Sequence, residues 1–150
     1  MLINISEATL LGIYGMIILY KNKDKTMQVK EIAKILGASE NHTAKVMQRL
    51  LKIGFIESER GPRGGYKYSK KNNKLSLMDI YETFEGKKNI KNCPMGRKKC
   101  PFKRCIFNPF LSKFYNDFYN YLKKTKLDSE FIQKFLPEWK EKILNKIKNK

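Results

Sequence analysis

Histidine and tryptophan each occur once in these 150 residues, and acids are scarce, with 14 Asp or Glu against 32 Lys or Arg. No paired carboxylates and no nucleophile–base set stand out. Gly61-Pro62-Arg63-Gly64-Gly65 is glycine-rich but does not lie between a strand and a helix, as a phosphate-binding loop would. These absences argue against an enzyme. Long apolar runs are missing as well: Ile17-Ile18-Leu19-Tyr20 is far too short to span a bilayer. Met1-Leu2-Ile3-Asn4 lacks the basic start of a signal peptide, and Glu7 interrupts the early apolar stretch. The expected location is therefore the cytoplasm, with no membrane attachment. Cysteines number three, an odd count that cannot pair fully within one chain. In a reducing compartment their clustering points to metal or redox chemistry rather than a disulfide framework.

What is abundant is positive charge. The formal net charge is +18, and a polyanion is the natural partner. Residues 1–86 hold 14 Lys or Arg against 9 acids, whereas residues 87–150 hold 18 against 5. Charge alone also fits a basic surface that docks an acidic protein, so the chain pattern has to decide.

Leu10, Tyr14, Ile17 and Ile18 recur at helical spacing and predict an amphipathic first helix ending near Lys21. Val29, Ile32, Ala33 and Leu36 form the stripe of a second helix, stopped by Gly37. Ser39 is placed to cap a third helix, buried along Val46, Met47, Leu50 and Leu51. Two helices joined by a glycine-containing turn fit a helix-turn-helix. Asn41, His42, Thr43, Lys45 and Arg49 on the third helix, with Ser39 at its start, supply donors for phosphates and base edges.

A short hairpin follows, turning at Gly61–Gly65, with Arg60 and Arg63 at its tip. Directly after a recognition helix, a hairpin is a wing; Gly64 and Gly65 would let its backbone approach a groove or phosphate closely. Ser76 and Asp79 have capping-box spacing and open a fourth helix that closes at Gly86. Asn108-Pro109 predicts the start of a long helix, with Asn108 as its cap. Phe110, Leu111, Phe114, Phe118, Tyr121 and Leu122 line one face of it, and so broad a face calls for a partner, most simply a second copy. Asp128–Leu136 and Trp139–Ile147 read as shorter terminal helices. The expected fold is mainly α with a small β-wing. It divides into a winged helix-turn-helix domain (1–86), a cysteine loop (87–108), and a dimerisation helix with a basic helical tail (109–150).

Cys93, Cys100 and Cys105 are spaced C-x6-C-x4-C, which is neither a zinc-ribbon pair nor C-x-x-C. From Lys87 to Cys105 there are eight Lys or Arg and no acid, a field that suits thiolate ligands and an anionic cluster. These residues alone leave three roles open: an iron–sulfur or zinc site, a thiol redox switch, or inert thiols. Glu7 and Asn108 are candidate fourth ligands, although a first-turn acid explains Glu7 better, and a helix cap explains Asn108 fully.

Taken together, the residues resemble the winged-helix bacterial regulators that include IscR, NsrR and CymR. Ser58-Glu59-Arg60-Gly61-Pro62-Arg63-Gly64-Gly65-Tyr66 is similar to that family's wing motif S-x-R-G-P-x-G-G-Y. Leu50–Phe55 resembles its L-x-x-x-G-[LF] segment, and Glu85-Gly86 its E-G ahead of the cysteines. The resemblance implies a homodimer on a double-stranded, palindromic operator, contacted by the third helix and the wing. It also implies an iron–sulfur cluster, [2Fe–2S] or [4Fe–4S], on Cys93, Cys100 and Cys105, sensing nitric oxide, iron or redox state. Here the middle cysteine is displaced by one position, and Asn108 stands where IscR has a ligating histidine. The NsrR-type carboxylate ligand lies one position from Glu7.

Overall fold

Ser6 opens the first helix, its hydroxyl accepting the Thr9 backbone N–H at 3.2 Å, with Glu7 in the positive first turn. This helix, α1 (Glu7–Lys21), is apolar on nearly every side, and Met16 and Leu19 are wholly buried. Helical spacing alone therefore could not say which stripe faces inward. The structure, a computed structural model describing residues 3–72, 74–87, 93, 97, 99–130 and 132, buries Leu11, Met16, Ile17, Ile18 and Leu19. It leaves Leu10 and Tyr14 more than 40% exposed, against the sequence reading. Gly12 and Gly15 allow close packing: a methyl at Gly12 would overlap the Phe84 ring, and one at Gly15 would meet the Met47 side chain.

α2 (Val29–Leu36) ends at Gly37, whose φ of +65° places it in the left-handed region that glycine tolerates. Two residues later Ser39 caps α3 (Glu40–Lys52), accepting the His42 backbone N–H at 3.2 Å. α2, α3 and α1 enclose Ile32, Met47 and Leu50, each fully buried, where truncation to alanine costs about 2–5 kcal/mol.

The wing pairs β1 (Ile56–Glu59) with β2 (Gly65–Tyr68) in antiparallel register, Ile56 opposite Tyr68 and Glu59 opposite Gly65. Met27, just before α2, adds a short third rung, exchanging two 2.8 Å backbone hydrogen bonds with Tyr66. A β-carbon at Gly64 would collide with the Glu59 carbonyl, and one at Gly65 with the Met27 carbonyl. These glycines are thus required by the protein's own backbone, an internal reason that differs from the expected approach to a ligand.

The Ser76–Asp79 capping box forms as expected. The Ser76 N–H donates to Asp79 Oδ2 at 2.7 Å, and the Asp79 N–H to Ser76 Oγ at 3.3 Å. It opens α4 (Leu77–Glu85), which lies along α1. α5 (Asn108–Lys124) packs on α4, with Phe118 and Tyr119 edge-on to the buried ring of Tyr81. Two details differ from expectation. Phe107, not Asn108, is the cap residue, and the Asn108 side chain instead accepts the Ser112 hydroxyl at 2.8 Å. The anticipated single aromatic face also divides: Tyr115 and Leu122 are buried and Phe118 is half-buried, while Phe110, Phe114 and Tyr121 stay at least 50% exposed.

Past α5 the chain turns back to the start of α4. The Leu77 N–H donates to the Thr125 carbonyl and the Leu127 N–H to that of Leu75, at 2.9 and 3.0 Å. Leu127 and Ile132 join the main core, so the described residues just after α5 are built into the winged-helix body. The helices expected at Asp128–Leu136 and Trp139–Ile147 lie largely or wholly outside the described residues, with Glu130 and Ile132 helical.

Candidate DNA-binding surface and cysteine segment

On α3 the buried face is Thr43, Val46, Met47 and Leu50, each at most 2% exposed. Helical geometry puts Asn41, Lys45, Gln48 and Lys52 on the opposite side, and all four are exposed. Thr43, expected among the DNA contacts, is turned fully inward, and its hydroxyl has no hydrogen-bond partner among the described residues. Gln48 and Lys52 were not anticipated, although their spacing from Asn41 and Lys45 is the helical period. Ser39 is exposed, with its hydroxyl used as the cap.

His42 and Arg49 sit at one flank of this surface. His42 Nδ1 lies 3.5 Å from Glu7 Oε2 on α1, a contact that becomes an ion pair when the imidazole is protonated. The Arg49 guanidinium lies 5.3 Å from the centre of the Phe84 ring on α4, a cation–π contact. Both expected DNA donors are therefore also engaged with neighbouring helices.

At the wing, Arg60 and Arg63 are exposed. The hairpin tip is held to the helix-turn-helix by Gln28, whose Nε2 donates to the Pro62 carbonyl at 3.2 Å. At its base, Lys67 and Thr26 both donate to Glu59 at 2.5 Å. The hydrogen bond from Lys67 holds the Glu59 carboxyl below its ordinary range, and Glu59 in turn raises Lys67. Glu59 is the wing's acid nearest Arg60 in sequence, and its charge is compensated there. The surface that α3 and the wing present is thus cationic and rich in hydrogen-bond donors.

A second feature stands where α4 ends. Glu85 accepts the Thr9 hydroxyl at 2.5 Å, the Ser6 backbone N–H at 2.8 Å and the Asn4 side-chain amide at 3.0 Å. Burial pushes its carboxyl up, but the hydrogen bonds from Thr9, Ser6 and Asn4 outweigh that and hold it at about 2. Nothing in residues 1–9 alone marks this contact, since its partners are 76 to 81 positions apart.

The cysteine segment begins two residues later. Cys93 and Cys105 are half-buried, Cys100 is exposed, and none of the three is in a disulfide. Among the described residues, no group of three or more His, Cys, Asp or Glu side chains is arranged to hold a metal. Residues 88–92, 94–96 and 98 of the segment lie outside the described set. The donor chemistry nonetheless fits an iron–sulfur group: three soft thiols on one segment without a competing acid. Of the candidate fourth ligands, Glu7 faces His42 and Asn108 accepts from Ser112.

With a helix-turn-helix, a wing and a basic outward face in place, the comparison with known proteins is decisive. The Rrf2 profile, described as an iron-dependent transcriptional regulator, matches residues 5–130. The chain belongs to the Rrf2 family. Its helix-turn-helix and wing are the DNA-binding winged helix of that family's transcriptional regulators. Its relatives are regulators, not enzymes.

BadM of Rhodopseudomonas palustris is 36% identical over 81 residues, covering 54% of this chain and 52% of that protein. The HTH-type transcriptional regulator NsrR of Bacillus licheniformis is 30% identical over 89 residues, covering 59% of each. The matched part thus spans a little over half the length of these curated relatives. Among solved structures, CymR, the global cysteine regulator of B. subtilis, aligns with a TM-score of 0.65 at 23% identity, over 85% of this chain and 95% of that one. T. potens IscR aligns at 0.63 and 21% identity, over 83% of each. At such identities the likeness is one of fold. Among the described residues no helix is long and apolar enough to cross a membrane.

Proposed function

We propose that this Rrf2-family chain is a homodimeric, operator-binding regulator whose DNA affinity follows an iron–sulfur cluster held by Cys93, Cys100 and Cys105. The observation that carries the reading is the position of the thiols in the chain. They connect α4, which touches the recognition helix through Phe84 and Arg49, to α5, which carries an uncovered aromatic face. When bound, the cluster supplies a redox-active centre able to respond to nitric oxide, iron supply or oxidants.

The chain's own residues do the rest. Asn41, Lys45 and Gln48 of α3 supply donors for phosphates and base edges, with Ser39, Lys52 and Arg49 beside them. Arg60 and Arg63 reach the backbone or minor groove from the wing. A second copy covers Phe110, Phe114 and Tyr121, because an apolar face of this size is rarely left to water. A two-fold dimer then reads a palindrome with half-sites roughly 34–36 Å apart. Cluster binding by cysteines that lie between α4 and α5 in the chain biases the angle between the two heads, which shifts the population that fits this spacing.

A second reading keeps DNA binding and uses thiol oxidation at the same cysteines. The exposure of Cys100, between Lys99 and the Lys103-Arg104 pair, favours it. Anaerobic purification with iron and sulfide analysis separates the two. The cluster reading expects a coloured protein with bound iron and acid-labile sulfide, both lost in Cys93→Ser. Colourless protein under iron-replete conditions, with oxidant-dependent crosslinking and matching loss of operator affinity, would select the second.

A further inference from the structure

A cluster-dependent regulator needs a physical route from the cysteine segment to α3. We infer that Phe84 and Glu85, the last two residues of α4, are the positioning residues that couple the cysteine segment to the recognition helix. The inference rests on the function proposed above.

Three observations converge on these two residues. Phe84 lies in the notch that Gly12 leaves on α1, and its ring also carries the Arg49 guanidinium of α3 at 5.3 Å. One aromatic ring therefore touches both helices. Glu85 holds the start of α1 through Thr9, Ser6 and Asn4. Between Ser6 and Thr9, Glu7 faces His42 of α3 at 3.5 Å. The end of α4 thus meets the recognition helix twice, directly through Phe84 and indirectly through the first turn of α1. Only Gly86 separates Glu85 from the basic cysteine segment.

The contact has the character a switch requires. Thr9 is fully buried and gives its hydroxyl hydrogen to an acceptor 76 positions away in the sequence. Displacing the Glu85 carboxylate by an ångström would break several charge-assisted hydrogen bonds together, because such bonds weaken steeply with distance and angle. Gly86 and Lys87 join Glu85 directly to the chain that leads to Cys93. An arrangement that either holds or releases the first turn of α1 is a two-state element of the kind that coupling between sites demands.

A merely structural role for Glu85 would lower stability without changing the response to the cluster, so the test needs a stability control. Ser76→Ala removes the cap at the opposite end of α4 and serves as that control. For wild type, Glu85→Ala, Glu85→Gln, Phe84→Leu and Ser76→Ala, operator affinity is measured with metal-free protein and with protein anaerobically loaded with iron and sulfide. Thermal unfolding and visible absorbance are recorded alongside. The expected result is that the loaded-to-metal-free affinity ratio collapses toward one in Glu85→Ala and falls by about fivefold or more in Phe84→Leu. Glu85→Gln, which keeps an acceptor oxygen, recovers part of the ratio, and Ser76→Ala keeps it whole. A wild-type-like ratio in Glu85→Ala, with the cluster bound, would overturn the inference while leaving the proposed function standing.

Hydrogen exchange on metal-free protein gives a readout independent of the cluster. Glu85→Ala should speed exchange at the α3 amides His42–Lys45 as well as in the first turn of α1, whereas Ser76→Ala should not. Equal affinities for loaded and metal-free wild type would overturn the proposed function. Exchange confined to α1 would overturn the linkage on its own.

Discussion

The carboxylate of Glu85 accepts the hydroxyl of Thr9 across 76 positions of sequence, and so fastens the end of α4 to the first turn of α1. Its depressed pKa, about 2, gives this fastening a pH signature. The ionised form is the one the hydrogen bonds favour, so the contribution is present above the ordinary carboxylate range. It is lost as pH falls from about 5 toward 2. Because Glu85 is only partly buried, the screened contribution is on the order of 1–2 kcal/mol. Glu85→Gln should therefore flatten the acid limb of stability in that window while changing neutral-pH stability less than Glu85→Ala does. Urea unfolding from pH 2.5 to 7 checks this, and parallel acid limbs for wild type and Glu85→Gln would contradict it.

Thr43 offers a test on the recognition helix itself. Its hydroxyl is buried without a partner among the described residues, so a methyl of the same shape removes a desolvation penalty. Thr43→Val should raise stability by about 1 kcal/mol and leave operator affinity unchanged. A loss of affinity with normal folding would return Thr43 to the DNA surface, against its inward orientation.

The locally encoded parts of this fold were legible in the sequence. Gly37, Ser39 and the Ser76–Asp79 pair act on residues within one helical turn, and each does in the structure what its local chemistry implies. α1 was not legible in detail, because a helix apolar on nearly every side carries no periodic signal to separate Leu10 and Tyr14 from Leu11 and Met16. Asn108 satisfied the composition of a cap, but the helix begins one residue earlier in phase and its side chain serves Ser112. The long-range contacts, Glu85 with Thr9, Phe84 with Arg49 and His42 with Glu7, had no sequence signature. They arise only once α1, α3 and α4 are packed together.

Charge on the reading surface is testable through salt. Lys45→Ala and Arg60→Ala should each weaken operator binding and reduce the salt slope by about one if they meet phosphates. Neither side chain lies in the core, so thermal unfolding should move little. Fluorescence anisotropy at several salt concentrations measures both. Unchanged affinity in Arg60→Ala would remove the wing from the interface.

The uncovered face of α5 sets the fourth prediction. Phe114 is 50% exposed and stacks on Phe110, with ring centres 6.2 Å apart. Phe114→Glu should put like charges across a two-fold contact and yield monomers at micromolar concentration, with reduced affinity for a palindrome. Sedimentation velocity decides the point. A dimer that persists unaltered in this variant would mean that the second copy docks elsewhere.

The central claim is that three thiols of one basic segment bind an iron–sulfur cluster and thereby set operator affinity. Its most direct test is anaerobic titration of operator DNA with wild-type protein, first metal-free and then loaded with iron and sulfide, alongside Cys93→Ser, Cys100→Ser and Cys105→Ser. The account predicts that loading changes wild-type affinity by about tenfold or more, and that the serine variants neither retain the visible absorbance nor show the change. Equal wild-type affinity in the two states, or a cluster that survives loss of these thiols, would contradict it.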